Sequence, residues 1–264
     1  SVLAASLDPP QDQITALVDL YHSGQMRKSE QTSKKLLGTY PQSLTVMNIL
    51  GEALRAQGKL QSALQVFDEA IQLKPDFAEI YNKRGNLLKA LARAGEAVFS
   101  YDKAIQLKPE YAEAHNNRGN ALLKLGRMDE AVENYDQAIQ LKPDYAEAYN
   151  NRGNAIGELG QLGDAIASYS KAIQLRPDFG EAYNNRGNAL QKLRRMDEAV
   201  ENYSQAILLR PDLAEAYNSR GAVLSDLGLL EEAIADYDVA IELKTDYTEA
   251  HSNLGAAHKE MGDL

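Results

Sequence analysis

The sequence predicts an all-α fold, an α-solenoid of tandem antiparallel helix-turn-helix units. Three observations predict it. Prolines 75, 109, 143, 177 and 211 are spaced 34 residues apart, a fixed period of the length of a helical hairpin. Within each period, apolar residues recur at three- and four-residue steps in two separate blocks. Between the blocks stands a glycine, and after the second block a proline, the two strongest punctuators of a helical chain.

With Ala112 taken as position one and Pro143 as position thirty-two, the chain reads as a single solenoid over residues 1–264. Full repeats cover 44–77, 78–111, 112–145, 146–179, 180–213 and 214–247, with a diverged repeat at 10–43 and a lone first helix at 248–264. That makes about seven and a half repeats. In the first helix of the repeat at 112–145, His115, Arg118, Gly119, Leu122 and Leu123 recur at three- and four-residue steps; in the second, Ala131, Tyr135, Ala138 and Ile139 do. Gly126, with Gly58, Gly160 and Gly228 at the same place, suits a left-handed cap between the helices. Ala92 and Arg194 stand where that glycine is expected, and Thr245 replaces the proline. Pro143 cannot extend the second helix, and Lys142 sits at the negative end of its dipole.

The first helices carry a start signal as well. Asp144 with Glu147 three residues on resembles a capping box, and Asp76 with Glu79, Glu110 with Glu113, Asp178 with Glu181, Asp212 with Glu215 and Asp246 with Glu249 repeat the spacing. Asp8-Pro9-Pro10-Gln11 follows the same logic and places the first helix start near Pro9. Glycines 85, 119, 153, 187, 221 and 255 fall inside first helices, where each costs up to about 1 kcal/mol against alanine. Repetition at one site implies close approach of the second helix, and alanines 63, 97, 131, 165, 199 and 233 fit the same crossing. The diverged repeat has Ser29 and Ser33 at core positions and reads as a cap of the array.

Composition limits the function. The formal net charge of −10 disfavours nucleic acid and anionic membrane surfaces. No run approaches the roughly 18 apolar residues of a membrane span. The absence of cysteine removes disulfides and thiolate chemistry and leaves the compartment open, with a cytoplasmic one favoured. The opening SVLAASLDPP lacks the pattern of a secretory signal. No phosphate-binding loop or nucleophile motif is present, so no catalytic residue, cofactor or metal site is expected. His115 and His251 occupy the position of Tyr81, Tyr149, Tyr183 and Tyr217, which points to core packing.

The order of aromatic or histidine, glycine, leucine, alanine, tyrosine, alanine and proline resembles the tetratricopeptide repeat. The segment AHNNRGNALLKLGRMDEAVENY is most similar to the long superhelical arrays of O-linked N-acetylglucosamine transferases and of bacterial tandem-repeat proteins. The resemblance implies a right-handed superhelix with the first helices lining a concave face. It implies a non-catalytic scaffold that binds an extended peptide or protein segment. The alternative is the substrate-recruiting N-terminal region of a larger enzyme, glycosyltransferase- or sulfotransferase-like. The column matching one basic position of chaperone-binding family members is glutamate here, so a carboxylate clamp is not expected.

Two columns carry the peptide-binding expectation. The first is Lys83, Asn117, Asn151, Asn185, Ser219 and Asn253; the second is Asn86, Asn120, Asn154 and Asn188, fading to Ala222 and Ala256. An amide both donates and accepts, so it can pair with the main chain of any sequence; in the glycosyltransferase arrays a matching asparagine column holds a peptide backbone. The structural alternative is that the amides bond one another in register. Arginines 84, 118, 152, 186 and 220 stand where the family usually has leucine. They read as structural cations covering apolar surface, with Asp102, Asp136 and Asp238 as counter-charges. The glutamate column of residues 79, 113, 147, 181, 215 and 249 reads as helix capping, with an acidic groove as the functional alternative.

In the last helix Leu254, Ala257, His258 and Met261 form a face with nothing to cover it. The expectation is a fragment of a longer polypeptide, and possible self-association through residues 248–264.

Overall fold

The structure, a computed structural model, describes residues 7–262. Among the described residues there are fifteen helices and no strand. In chain order they are α1 (Gln11–His22), α2 (Met26–Thr39), α3 (Leu44–Ala56), α4 (Leu60–Leu73), α5 (Ala78–Ala90), α6 (Ala94–Leu107), α7 (Ala112–Lys124) and α8 (Met128–Leu141). They continue as α9 (Ala146–Glu158), α10 (Leu162–Leu175), α11 (Gly180–Lys192), α12 (Met196–Leu209), α13 (Ala214–Asp226), α14 (Leu230–Leu243) and α15 (Thr248–Gly262). The chain divides into a first unit ending at Asn134 and a second beginning at Tyr135, within α8.

In both units the core is a crossing of glycine on the first helix with a ring on the second. A methyl carbon added to Gly85 would lie 2.5 Å from the Tyr101 ring. At Gly153 the distance to Tyr169 would be 2.6 Å, and at Gly187 it would be 2.7 Å to Tyr203. No real side chain fits there, and forcing one costs typically about 1–3 kcal/mol. One turn before each ring, Ala63, Ala97, Ala165, Ala199 and Ala233 are wholly buried, which allows the helices to close.

The first hairpin reverses this crossing. Leu17 and Ser33 are both completely buried and hold the positions that later hairpins give to glycine and tyrosine. The bulk has moved from the second helix to the first. The cost is visible: the Ser29 and Ser33 hydroxyls are buried without a hydrogen-bond partner.

Turns between paired helices follow one geometry. Gly58, Gly126, Gly160 and Gly228 have φ of 74°, 73°, 80° and 78°. Ala92 and Arg194 are held at 58° and 61°, so the hairpin imposes the left-handed conformation even where the sequence supplies no glycine.

The helix starts differ from the expected capping box. Tyr111, Tyr145, Phe179 and Leu213 occupy the cap positions, with no side-chain cap bond, and the aspartates at 144, 178 and 212 lie one residue too early. The cap ring has another use. Lys108 lies 5.0 Å above Tyr111 and Arg176 4.6 Å above Phe179, each cation ending the preceding helix. The glutamate in the first turn then takes the same cation: Lys108 pairs with Glu79 at 3.1 Å and Arg176 pairs with Glu147. α1 likewise begins at Gln11, after Pro10, and Asp8 accepts a hydrogen bond from Ser43 instead of capping it. Ser43 is the side-chain cap of α3, accepting from Val46 N–H at 3.2 Å.

Candidate functional site

The helices that open each repeat carry the residues singled out above. In the first unit, α1, α3 and α5 enclose a hollow of about 420 Å³. Val18, Tyr21 and Ile49 give it apolar walls; Asn48, Lys83 and Asn86 give it donors and acceptors, and Tyr111 and Glu113 close one side. Lys83 donates to Asn48 Oδ1 at 2.6 Å and lies 3.5 Å from Glu52, so its ammonium is held within the hollow.

The first amide column is partly self-paired. Asn117 Nδ2 donates to Asn82 Oδ1 at 3.1 Å, Asn185 to Asn150 at 3.1 Å and Asn253 to Asn218 at 3.0 Å. Each bond ties an amide to the asparagine one place earlier in the preceding repeat. Asn117 is 9 % exposed, so it does not stand on an open polar face. Asn151, Asn185 and Asn253 are half-buried. Asn117 Nδ2 also donates to Glu113 Oε1 at 3.5 Å; Asn185 and Asn253 each spend one N–H in these bonds, and an amide has a second N–H and a carbonyl oxygen to offer.

The second column has a structural partner that the sequence reading missed. Asn86, Asn154 and Asn188 accept from the hydroxyls of Tyr101, Tyr169 and Tyr203, each at 2.8 Å. Those are the buried rings that cross the glycines, and burial pushes each phenol pKa upward. Asn120 is half-buried on α7, at the corresponding place. The signal was in the sequence. Where the ring is Phe67, with no hydroxyl, the amide position is Glu52.

The arginine column is structural, with one correction. Arg84 reaches Asp68 at 2.6 Å and Ser100 at 2.7 Å; Arg152 reaches Asp136 at 2.6 Å and Ser168 at 2.8 Å. Arg118 pairs with Asp102 at 2.9 Å. Each therefore bonds the second helix before it, and Arg84 and Arg152 also bond the second helix after them. Asp238 is not a counter-charge. Arg220 uses Asp236 at 2.7 Å, while Asp238 is exposed, because the next arginine position is Leu254.

The histidines separate. His115 is buried with Nε2 3.0 Å from the Pro109 carbonyl. His251 makes the same contact with Thr245 O at 3.0 Å but is exposed, which corrects the core reading for it. In α15 the expected bare face is smaller than anticipated: Ala257 is 2 % exposed and Leu254 packs with Leu224, Ala233 and Tyr237, leaving His258 and Met261 open. Among the described residues no cluster of three or more His, Cys, Asp or Glu is placed to hold a metal ion, and no helix is long and apolar enough to cross a membrane.

Known families match this architecture. A tetratricopeptide repeat model matches residues 51–91, 93–126, 119–160, 158–193 and 224–262, and a second one matches 180–213. The chain belongs to the tetratricopeptide repeat family. No curated protein matches it in sequence. Among solved structures, the tetratricopeptide fold here is similar to a chain of the anaphase-promoting-complex hetero-tetramer Cut9-Hcn1, with TM-score 0.78, 18% identity and coverage of 94% of this chain. This chain spans 49% of that one. It is also similar to a tetratricopeptide repeat protein from Parabacteroides merdae, with TM-score 0.74, 19% identity and coverage of 94% of this chain and 98% of the other. YrrB, described as a tetratricopeptide protein with an unusual peptide-binding site, has TM-score 0.55 and 24% identity over 70% of this chain and 96% of its own. Tetratricopeptide arrays are protein-interaction scaffolds, and this chain is such an array.

Proposed function

We propose that the chain is a non-catalytic scaffold that binds an extended segment of a partner protein on the side formed by the first helix of each repeat. The observation that carries this reading is the hollow of the first unit. There α1, α3 and α5 present apolar walls beside amides and one lysine, the mix that grips both side chains and main chain of a peptide. In this reading Lys83, Asn86 and Asn117 serve the first unit, with Asn120 beside them. Asn151, Asn154, Asn185, Asn188 and Asn253 serve the second through the N–H and carbonyl groups that their internal bonds leave over.

The self-pairing of the first column supports the reading in one respect. A neighbour's bond fixes each amide's orientation before a ligand arrives, and less rotamer entropy is then lost on binding. The test is selection of peptides from a random display library on the intact chain, followed by affinity measurement on two variant sets. Lys83→Ala with Asn86→Ala addresses the first unit; Asn151→Ala, Asn185→Ala and Asn253→Ala address the second. Expected is a loss of at least about tenfold, or ~1.4 kcal/mol, in one set with helicity retained. Unchanged affinity in both sets removes these residues as the binding site.

A further inference from the structure

One arginine of the column lacks what the others have. Asp68, Asp102 and Asp136 face Arg84, Arg118 and Arg152 from the preceding second helix. At that same place before Arg186 the chain has Ser170, and before Arg220 it has Ser204. Arg220 recovers a carboxylate from its own hairpin: Asp236 takes its Nε and Nη2, both at 2.7 Å. Arg186 does not. The residue matching Asp236 is Asn202, whose Oδ1 takes Arg186 Nε at 2.7 Å, while Ser170 Oγ takes Nη1 at 3.1 Å.

Arg186 thus keeps the cation of an ion-pair joint with neutral groups on both sides, where each of these siblings has a carboxylate on one. It forms no ion pair among the described residues, and its Nη2 has no partner there. Burial lowers its pKa, whereas hydrogen bonding to Asp236 raises that of Arg220. Glu198 attracts it only through space, and a desolvated cation without a directly paired carboxylate is costly. The guanidinium opens on a hollow of about 390 Å³ in the second unit. Tyr183, 5.5 Å from the guanidinium carbon, stacks beside it, and Val200, Asn202, Ser204 and Gln205 line the rest. Two glutamates are near. Glu198 is engaged by Arg195 at 2.6 Å, and Glu201 stands on the wall. Neither pairs with Arg186.

We propose that this hollow, between α11 and α12, is a carboxylate-binding site centred on Arg186. The chemical class follows from the sibling joints, in which the same guanidinium position holds a planar carboxylate, in the Arg220 case by two parallel hydrogen bonds. The site uses none of the residues of the asparagine columns, so it is independent of the peptide-binding reading. Its ligand is either the side chain of an aspartate or glutamate on a partner protein or a small free acid.

The test follows the arginine Nε–Hε resonances of the isotopically labelled intact chain during two titrations. One uses sodium acetate, the other a capped Gly-Asp-Gly peptide, with chloride holding ionic strength constant. Expected is a saturable shift at Arg186 and none at Arg84, Arg152 or Arg220. Ser170→Asp puts back the carboxylate of the sibling joints and abolishes the Arg186 response. Asn202→Asp does the same from the other hairpin, copying Asp236, and serves if the first variant folds poorly. Tighter binding of the peptide identifies a protein side chain as the source; equal binding identifies a free acid. A response at Arg186 no larger than at its paired siblings, or one that survives both variants, overturns the proposal.

Discussion

Replacing Asn154 by alanine tests whether the second asparagine column holds the core together. Asn154 Oδ1 is the acceptor of the Tyr169 hydroxyl at 2.8 Å, and Tyr169 is 5 % exposed. Truncation leaves that hydroxyl buried without a partner, at a cost of about 1–3 kcal/mol. Alanine returns some of this, roughly 0.6 kcal/mol, as the better helix former. The net expectation for Asn154→Ala is a loss of about 1–2 kcal/mol. Tyr169→Phe leaves an amide that is half-buried and can turn to water, so its cost is smaller, about 0.5–1 kcal/mol. Making both changes removes donor and acceptor together and returns stability towards the parent. The assay is a double-mutant cycle by urea unfolding monitored by circular dichroism, with hydrogen exchange of α9 and α10 to localise the loss. A coupling of about 1 kcal/mol is expected. Strict additivity, or an alanine variant as stable as the parent, would refute the assignment of this column to core support.

Two further outcomes follow from strain and charge. Arg194→Gly relieves a non-glycine residue at φ 61° and loses only an exposed 3.5 Å pair with Asp226, so stability should rise by about 1 kcal/mol in urea unfolding. Glu30 is 8 % exposed and bound by Lys34 at 2.7 Å and Lys59 at 2.6 Å, and these hydrogen bonds lower its pKa from 4.5 to about 2. A lowered carboxylate pKa stabilises the fold fully above the unfolded value of 4.5, and the contribution is lost as pH falls towards 2. Both lysines are largely exposed, which limits the contribution to roughly 1–2 kcal/mol. The stability gap between the parent and Glu30→Gln should accordingly close as the pH of the urea titration is lowered through that window.

The repeat frame was legible because proline and glycine punctuate helices by covalent geometry, independent of neighbours. Helices open at Leu44, Ala78, Ala112, Ala146, Gly180 and Ala214, where the proline spacing puts the repeat starts. The close approach of the second helix at the recurring glycine was legible for a similar reason, although the ring that fills it was not foreseen and Gly255 meets no such neighbour. The caps were misread because Asp144 with Glu147 satisfies a local spacing rule. The actual partner of Glu147 is Arg176, in the following helix end, and a local rule cannot see it. The same limit applies to Asp238, which repeats the position of Asp102 and Asp136 but meets no arginine. The tyrosine partners of the second column were missed because the joint change to Phe67 and Glu52 in one repeat is offset by another that keeps Tyr237 opposite Ala222. The candidate hollow of the first unit takes Tyr21 and His22 from the diverged repeat, where no column alignment pointed to them.

The arginine joints differ in how they respond to the solution around them. Added salt screens a guanidinium facing an exposed carboxylate such as Asp68, Asp102 or Asp136, and each of those joints slackens as ions accumulate. The contact of Arg186 with an amide and a hydroxyl includes no direct ion pair to screen. Rising ionic strength therefore alters the ranking of the seams: the one without an ion pair keeps its grip while its charged counterparts loosen, and the hairpin most easily opened in dilute buffer need not be the one that opens first in brine.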